Sequence, residues 1–218
     1  MAKKKINKET ITEAALEILQ EKGLAYLSMR NVAAKLKIQA PALYWYIKNK
    51  QELLQLIAEY LSSQMTFPDP SKDWIEEVTL LALETRRVLL SIPDGAEIMM
   101  DTLPITKKRL VIINQTLALF HRANFPEDII FQSAISFNNY VTAYVLDEQK
   151  QLKMLDEIGE ESIQRQFSES ISGIAREEVP FVYQYMLSQK GIINNEENFI
   201  VGLRILLQGI KAEIERRD

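Results

Sequence analysis

Cysteine is absent from the 218 residues, and histidine occurs once, at His121. The first absence excludes a disulfide framework and a thiolate metal site. The second excludes a multi-histidine metal site within one chain. No apolar run reaches the ~18 residues of a membrane span. The basic start, MAKKKINKE, is not followed by an apolar signal segment, so the expected location is the cytoplasm. A glycine-rich phosphate loop, a metal-ligand cluster and a cysteine nucleophile are all lacking, which argues against an enzyme. His121 itself, within Phe120-His121-Arg122 near a helix end, reads as a surface or C-terminal-turn residue rather than a general base. Strand patterning and internal repeats are missing too.

What is present is unevenly placed. Residues 1–50 hold ten Lys and Arg against four acids, a charge of +6 in a chain whose formal net charge is −4. The remainder therefore carries −10. A small basic head on an acidic body suits a protein that touches phosphate with one end only. A solvated charged surface with chance clustering would give the same count.

The chain is organised around residues 29–50, MRNVAAKLKIQAPALYWYIKNK. Val32, Ala33 and Leu36 mark one face of a short helix from Met29 to Leu36, with Ser28 as its N-cap. Lys37-Ile38-Gln39 is long enough only for a turn. The spacing predicts a second helix from Ala40 to Ile47, with Pro41 in its first turn, where a missing N–H costs nothing. Leu43 and Ile47, four apart, pack inward. Ala40, Pro41, Ala42, Tyr44 and Tyr46 are left around the outward surface, and Lys48 and Lys50 follow. A helix of this shape suits a DNA major groove.

Around this stretch the pattern is helical throughout. Residues 1–8, with Lys3, Lys4 and Lys5, form a basic arm that lies against phosphate or is disordered. Asn7 caps a helix over Lys8–Lys22 that stops at Gly23. A longer helix runs from Lys50 to about Gln64, and TFPDPSKD follows as the boundary between head and body. Further helices are expected over Trp74–Ser91, Ala96–Asp101, Thr106–Ala123, Glu127–Leu155, Val179–Ser188 and Asn195–Glu215. Residues 157–175 are polar with little apolar periodicity, and read as a loop or a weak helix. The segments Ile129–Leu146 and Phe199–Ile210 are apolar on more than one side. Pairing them with a second copy would bury the excess as a four-helix bundle; a central core helix in a monomer is the alternative.

The stretch Ile11–Leu54 resembles the helix-turn-helix domain of TetR-family transcriptional regulators. AALEILQEKG, Ser28-Met29-Arg30, Val32-Ala33, Ala42-Leu43-Tyr44-Trp45-Tyr46, Lys48-Asn49-Lys50 and Leu53-Leu54 carry the likeness. In the body, Leu89-Leu90-Ser91, Asp94-Gly95-Ala96, Thr102, Pro104, Asn114-Gln115 and Val145-Leu146-Asp147-Glu148-Gln149 resemble the tetracycline-repressor subgroup in the same order. The resemblance implies an all-α homodimer. Residues 1–50 would be a three-helix DNA-binding head, 51–66 a connecting helix, and 67–218 an effector-binding and dimerisation body. The expected function is a repressor released from a palindromic double-stranded operator by a small molecule. A DNA-associated adaptor or activator controlled by a protein partner is the alternative.

The resemblance also assigns residues. The DNA-facing set is Ser28, Met29, Arg30, Gln39, Ala40, Pro41, Ala42, Tyr44, Trp45, Tyr46, Lys48 and Lys50. Arg30 has the planar fork to bond O6 and N7 of a guanine. Tyr44 and Lys50 match phosphate contacts. Trp45 is a groove-wall contact or is partly packed. Ala40 and Ala42 stand where the subgroup has a glutamine and a threonine, so with Pro41 they offer only apolar surface, which could read thymine methyls but no hydrogen-bonding edge, and the operator should differ. For the effector, the subgroup binds a drug–magnesium chelate through a histidine, with a threonine and a glutamate in its water shell. Met99 takes the histidine place, Thr102 matches the threonine, and Asp147 stands for the glutamate. Leu81 and Thr85 replace two drug-gripping residues, and Gln115 matches a third. Together with Leu103 these imply a pocket with no metal site and no cofactor, suited to a hydrophobic or cationic compound.

Overall fold

The computed structural model describes residues 6–70, 73–185 and 194–217. Eleven helices are assigned among them, with no strand. They are α1 (Lys8–Lys22), α2 (Met29–Lys35), α3 (Ala40–Leu43), α4 (Lys50–Ser63), α5 (Trp74–Leu90), α6 (Gly95–Met100), α7 (Lys107–Arg122), α8 (Glu127–Ile158), α9 (Glu160–Ser172), α10 (Pro180–Tyr185) and α11 (Glu196–Glu215). A single 3-10 turn at Leu24–Tyr26 joins α1 to α2. The basic arm of Lys3, Lys4 and Lys5 lies outside the described residues, as does the end of the helix expected to reach Ser188.

Helix starts follow from capping side chains. Asn7 Oδ1 accepts from Thr10 N at 2.8 Å while Thr10 Oγ1 accepts from Asn7 N at 3.0 Å, a reciprocal capping box. Asn49 caps α4 and Asn195 caps α11 in the same way on one side. Two expected elements differ. The helix predicted over Ala40–Ile47 is regular only over Ala40–Leu43; Tyr46 N turns back to Leu43 O, and the next three residues form a turn. Residues 157–175, expected as a loop or a weak helix, resolve to the helical reading. α8 runs on to Ile158, Gly159 adopts φ +78°, and α9 forms. Ile163, Phe167 and Ile171 give α9 a narrow apolar stripe at four-residue spacing, which the surrounding polar residues mask.

Two large apolar cores form among the described residues, with a small third cluster of Leu89, Ala96 and Val145. The first gathers Ile11, Ala15, Leu19, Leu43, Ile47, Leu53, Ile57 and Leu61 of the head with Val88, Ile92 and Ile98 of the body. The second lies in the body, where Phe120 and Phe125 meet Trp74, and Phe137 and Val141 of α8 share the core with Phe199 and Leu203 of α11. α4 therefore belongs to the head core while lying against the body.

The α5–α6 turn is the tightest joint. Asp94 is left-handed at φ +57°, and a Cβ on Gly95 would stand 2.3 Å from Leu89 O. Gln149 of α8 fastens the turn. Its Nε2 donates to Leu89 O (3.1 Å) and Ile92 O (2.9 Å), and its Oε1 accepts from Ala96 N (3.1 Å). One helical position away, the buried Glu148 takes a bidentate pair from Arg86 at 2.6 and 2.9 Å, and Arg86 also reaches Glu196 of α11. The motif Val145–Gln149 is thus a fastening device for α5, α6, α8 and α11.

Two outcomes follow from these joints. Gly95→Ala meets backbone rather than a flexible side chain, so it should cost about 1–3 kcal/mol of stability, read as a lower urea midpoint. At the head–body linker, Glu84 accepts from Arg87 and from the hydroxyl and N–H of Thr66. Arg87, chiefly, then Thr66 hold its carboxyl down from the ordinary 4.5 to about 2, against the opposing effect of burial. A depressed carboxyl adds stability that is complete above pH 4.5 and is lost as pH falls toward 2. Glu84→Gln should therefore flatten the acid limb of thermal stability across that window.

Candidate nucleic-acid interface and internal cavity

The head presents α2 and α3 across a turn built without glycine. Ile38 N donates to Ala33 O and Lys37 N to Ala34 O, both at 3.0 Å, with Lys37 at φ +56°. This is a Schellman closure, and it fixes α3 against α2. Leu43 and Ile47 are fully buried beneath. Ser28 Oγ is spent on the N-cap of α2, accepting from Asn31 N at 3.1 Å, and Met29 packs on the head core. Arg30 points outward from the first turn of α2. Gln39 and Pro41 are exposed, while Ala40 and Ala42 are half-buried and show only part of their methyl surface.

Tyr44, Trp45 and Tyr46 are all exposed, and Trp45 reaches 89 %, so its packed reading does not hold in the free head. Lys48 and Lys50 flank the N-terminus of α4. Among the described residues Arg30, Lys37, Lys48 and Lys50 form no ion pair. By contrast, Lys35 is held by Glu17 (3.0 Å) and Glu21 (2.6 Å), and Lys8 by Glu52 (3.7 Å). The free cations thus lie on the same segment as the exposed aromatics, a surface that can meet phosphate and base edges together.

A cavity of about 550 Å³, partly open to solvent, lies between α4, α5, α6, α7 and α8. Its lining is mostly apolar. Leu81, Thr85, Met99 and Thr102 of the expected set line it. Leu103, Gln115 and Asp147 do not. Leu103 is 65 % exposed, with its carbonyl turned inward to Gln55 and Arg109. Gln115 lies on the exposed face of α7, whereas its neighbour Thr116 lines the cavity. Asp147 is exposed and accepts from Asn194 Nδ2 (2.8 Å) and Gln151 Nε2 (3.0 Å). A step of one residue turns a helix by about 100°, which separates these outward side chains from the inward Thr116 and Glu148. Among the described residues no three of His, Cys, Asp and Glu converge.

One lining residue carries a signal that pattern reading missed. Arg109 is 8 % exposed. Its Nη1 donates to Thr102 Oγ1 (2.7 Å), Thr102 O (3.0 Å) and Leu103 O (3.0 Å), and its Nη2 to Met99 O (3.2 Å). Burial pushes its pKa down, partly countered by the charge of Glu59. Its spacing of seven from Thr116, with Ile112 and Ile113 between, was the available clue.

The segment that Arg109 grips is held on its other side by α4. Gln51 Nε2 donates to Asp101 O (2.7 Å) and Gln55 Nε2 to Leu103 O (3.0 Å). Both oxygens of Glu59 accept from Lys108 N at 3.1 Å. Further up, Leu24 N donates to Asp94 Oδ2 at 2.6 Å. The cavity wall and the helix that carries the head are therefore hydrogen-bonded through one short segment.

Comparison with known proteins agrees with both halves. Residues 67–214 match the family model for the tetracyclin repressor-like C-terminal domain, and residues 11–57 match that for bacterial regulatory proteins of the tetR family. The class D tetracycline repressor protein of Escherichia coli is 28 % identical over 214 residues, covering 96 % of this chain and 91 % of its own length. Among solved structures, ActR of Streptomyces coelicolor in complex with actinorhodin superposes with a TM-score of 0.81 at 24 % identity, covering all of both chains. A TetR variant of Acinetobacter baumannii in complex with minocycline gives 0.69 at 26 % identity, over 96 % of this chain and 95 % of that one. The chain belongs to the TetR family of ligand-responsive transcriptional repressors.

Proposed function

We propose that this chain is a cytoplasmic repressor, not a catalyst, that leaves its operator when a small molecule fills the cavity between α4 and α8. The observation that carries the reading is the double attachment of residues 101–108. On one side Thr102, Pro104 and Arg109 wall the cavity; on the other, Asp101, Leu103 and Lys108 are bonded to Gln51, Gln55 and Glu59 of α4. A ligand that displaces the wall also moves α4, and α4 shares its core with the head. The functional division is then a DNA-binding head over 1–50, a transmitting helix over 51–66, and a sensing and pairing body over 67–218.

Pairing through α8 and α11 supports two heads. On α11, Val201 and Ile205 are four residues apart and exposed, Ile205 to 70 %. In a two-fold dimer each head would enter one of two successive major grooves, and a change in their spacing would undock both. Arg30 would read a guanine, Tyr44, Lys48 and Lys50 would hold phosphates, and Ala40–Ala42 would face thymine methyls.

Two measurements test this. Operators selected from random duplexes should be palindromic, and Arg30→Ala should cost about 1–3 kcal/mol and relax selectivity at one guanine per half-site. Lys50→Ala should instead weaken all sequences alike and flatten the salt dependence by about one unit of slope. An operator indifferent to guanine replacement would remove the Arg30 assignment. The paired change Gln51→Ala/Gln55→Ala should keep operator affinity but blunt release by any compound that raises the melting temperature. Unchanged release would show that the signal bypasses this segment.

A further inference from the structure

Arg109 is the one ionisable side chain lining the cavity among the described residues; no carboxylate faces it there. An organic cation would find no counter-charge, only a guanidinium that repels it. The guanidinium is itself poorly balanced. It is buried, yet among the described residues its hydrogen-bond partners are four neutral oxygens, three of them backbone carbonyls. Glu59, the acid whose field reaches it, is engaged with Lys108 N and makes no ion pair with it among the described residues. Its Nε has no hydrogen-bond partner among the described residues, which leaves part of the planar fork unused. Taking a charge out of water without an opposite charge costs several kcal/mol. A neutral donor could hold the same carbonyls without that cost. The apolar walls meanwhile raise the value of any charge brought in as a partner.

We propose that the effector is an apolar, ring-sized molecule carrying one anionic group, a carboxylate, sulfonate or phenolate, seated on Arg109. This rests on the cavity being the effector site. Arg109 bonds the same carbonyls of residues 99–103 that shape the wall, so an anion that draws the guanidinium inward loosens that segment. Leu103 O, shared between Arg109 and Gln55 of α4, is where the shift reaches the helix beneath the head. The acidic group thus supplies the trigger, and the apolar lining supplies most of the affinity.

A matched pair of fluorescent probes separates the charge from the rings. Anilinonaphthalene sulfonate and N-phenylnaphthylamine share their aromatic system, and only the first carries an anion. The full-length wild type should bind the sulfonate about tenfold more tightly than the neutral amine. Ala134→Trp, which fills the cavity, should abolish both and so separate cavity binding from binding to the basic head. Arg109→Gln should leave the neutral amine bound and erase the preference, while Arg109→Lys should keep part of it. Equal affinities in the wild type, or a preference untouched by Arg109→Gln, would overturn the proposal while leaving the cavity as an effector site. Should Arg109→Gln fail to fold, the wild-type pair alone decides. If neither probe binds, or Ala134→Trp leaves both bound, the cavity is not a ligand site, and the functional reading falls along with this inference.

Discussion

Val88, Ile92 and Ile98 leave the body and complete the apolar core of the head. Burying each such side chain is worth about 1.5–3 kcal/mol, so three of them tie the two halves by an amount comparable to the stability of a small domain. The head therefore cannot move on the body by sliding over an interface. It moves only if α5, the α5–α6 turn or α4 moves with it. Asp94 on Leu24 N and Glu84 on Thr66 add polar fastening at two edges of that contact. A displacement inside the body that moves any of these elements is therefore carried to the head through the core they share.

Two arginines of the body, half-buried Arg86 and buried Arg109, show how charge is used in opposite ways. Arg86 lies in a bidentate pair with buried Glu148 and reaches on to Glu196, so its charge is matched and its place is fixed. Together with Gln149 it makes α5, α8 and α11 a frame. Arg109 lies on another wall of the cavity, bound to three carbonyls and the Thr102 hydroxyl, on the segment that touches α4. Arg86 thus has a carboxylate partner, and Arg109 has none among the described residues. The same chemistry that would make Arg109 a poor structural residue makes it responsive to what enters the cavity.

Much of the fold was legible because helix ends are written in single side chains. Asn7 and Ser28 name their own helices, and Gly23 ends the first. Leu43 and Ile47 set the inward face of the second head helix correctly, although that helix is regular for only four residues, since four residues of pattern cannot tell a helix from a helical turn. Over α9 the choice between loop and helix stayed open because its stripe is one residue wide among polar neighbours. The cavity was less legible. Met99 and Thr102 lie on its wall, but Gln115 and Asp147 face away, each one residue from a side chain that faces inward. Matched motifs locate a turn of helix without fixing which side chain points where. Glu148 and Gln149 were thus read past, though they carry the joints. Arg109 sits in no matched motif; only its burial and the neutrality of its partners mark it.

Trp45, almost wholly in water at the tip of the head, has a counterpart. The chain has two tryptophans, and the other, Trp74, is edge-on to Phe125 at 4.9 Å between ring centres and also meets Phe120. The two indoles thus differ in exposure, Trp45 lying in water and Trp74 half-buried among its aromatic neighbours. The protein's own emission is the sum of a freely quenchable component from Trp45 in the head and a less accessible one from half-buried Trp74 in the body. An aqueous quencher such as iodide divides that emission by domain, so each end of the molecule can be followed separately with no label attached.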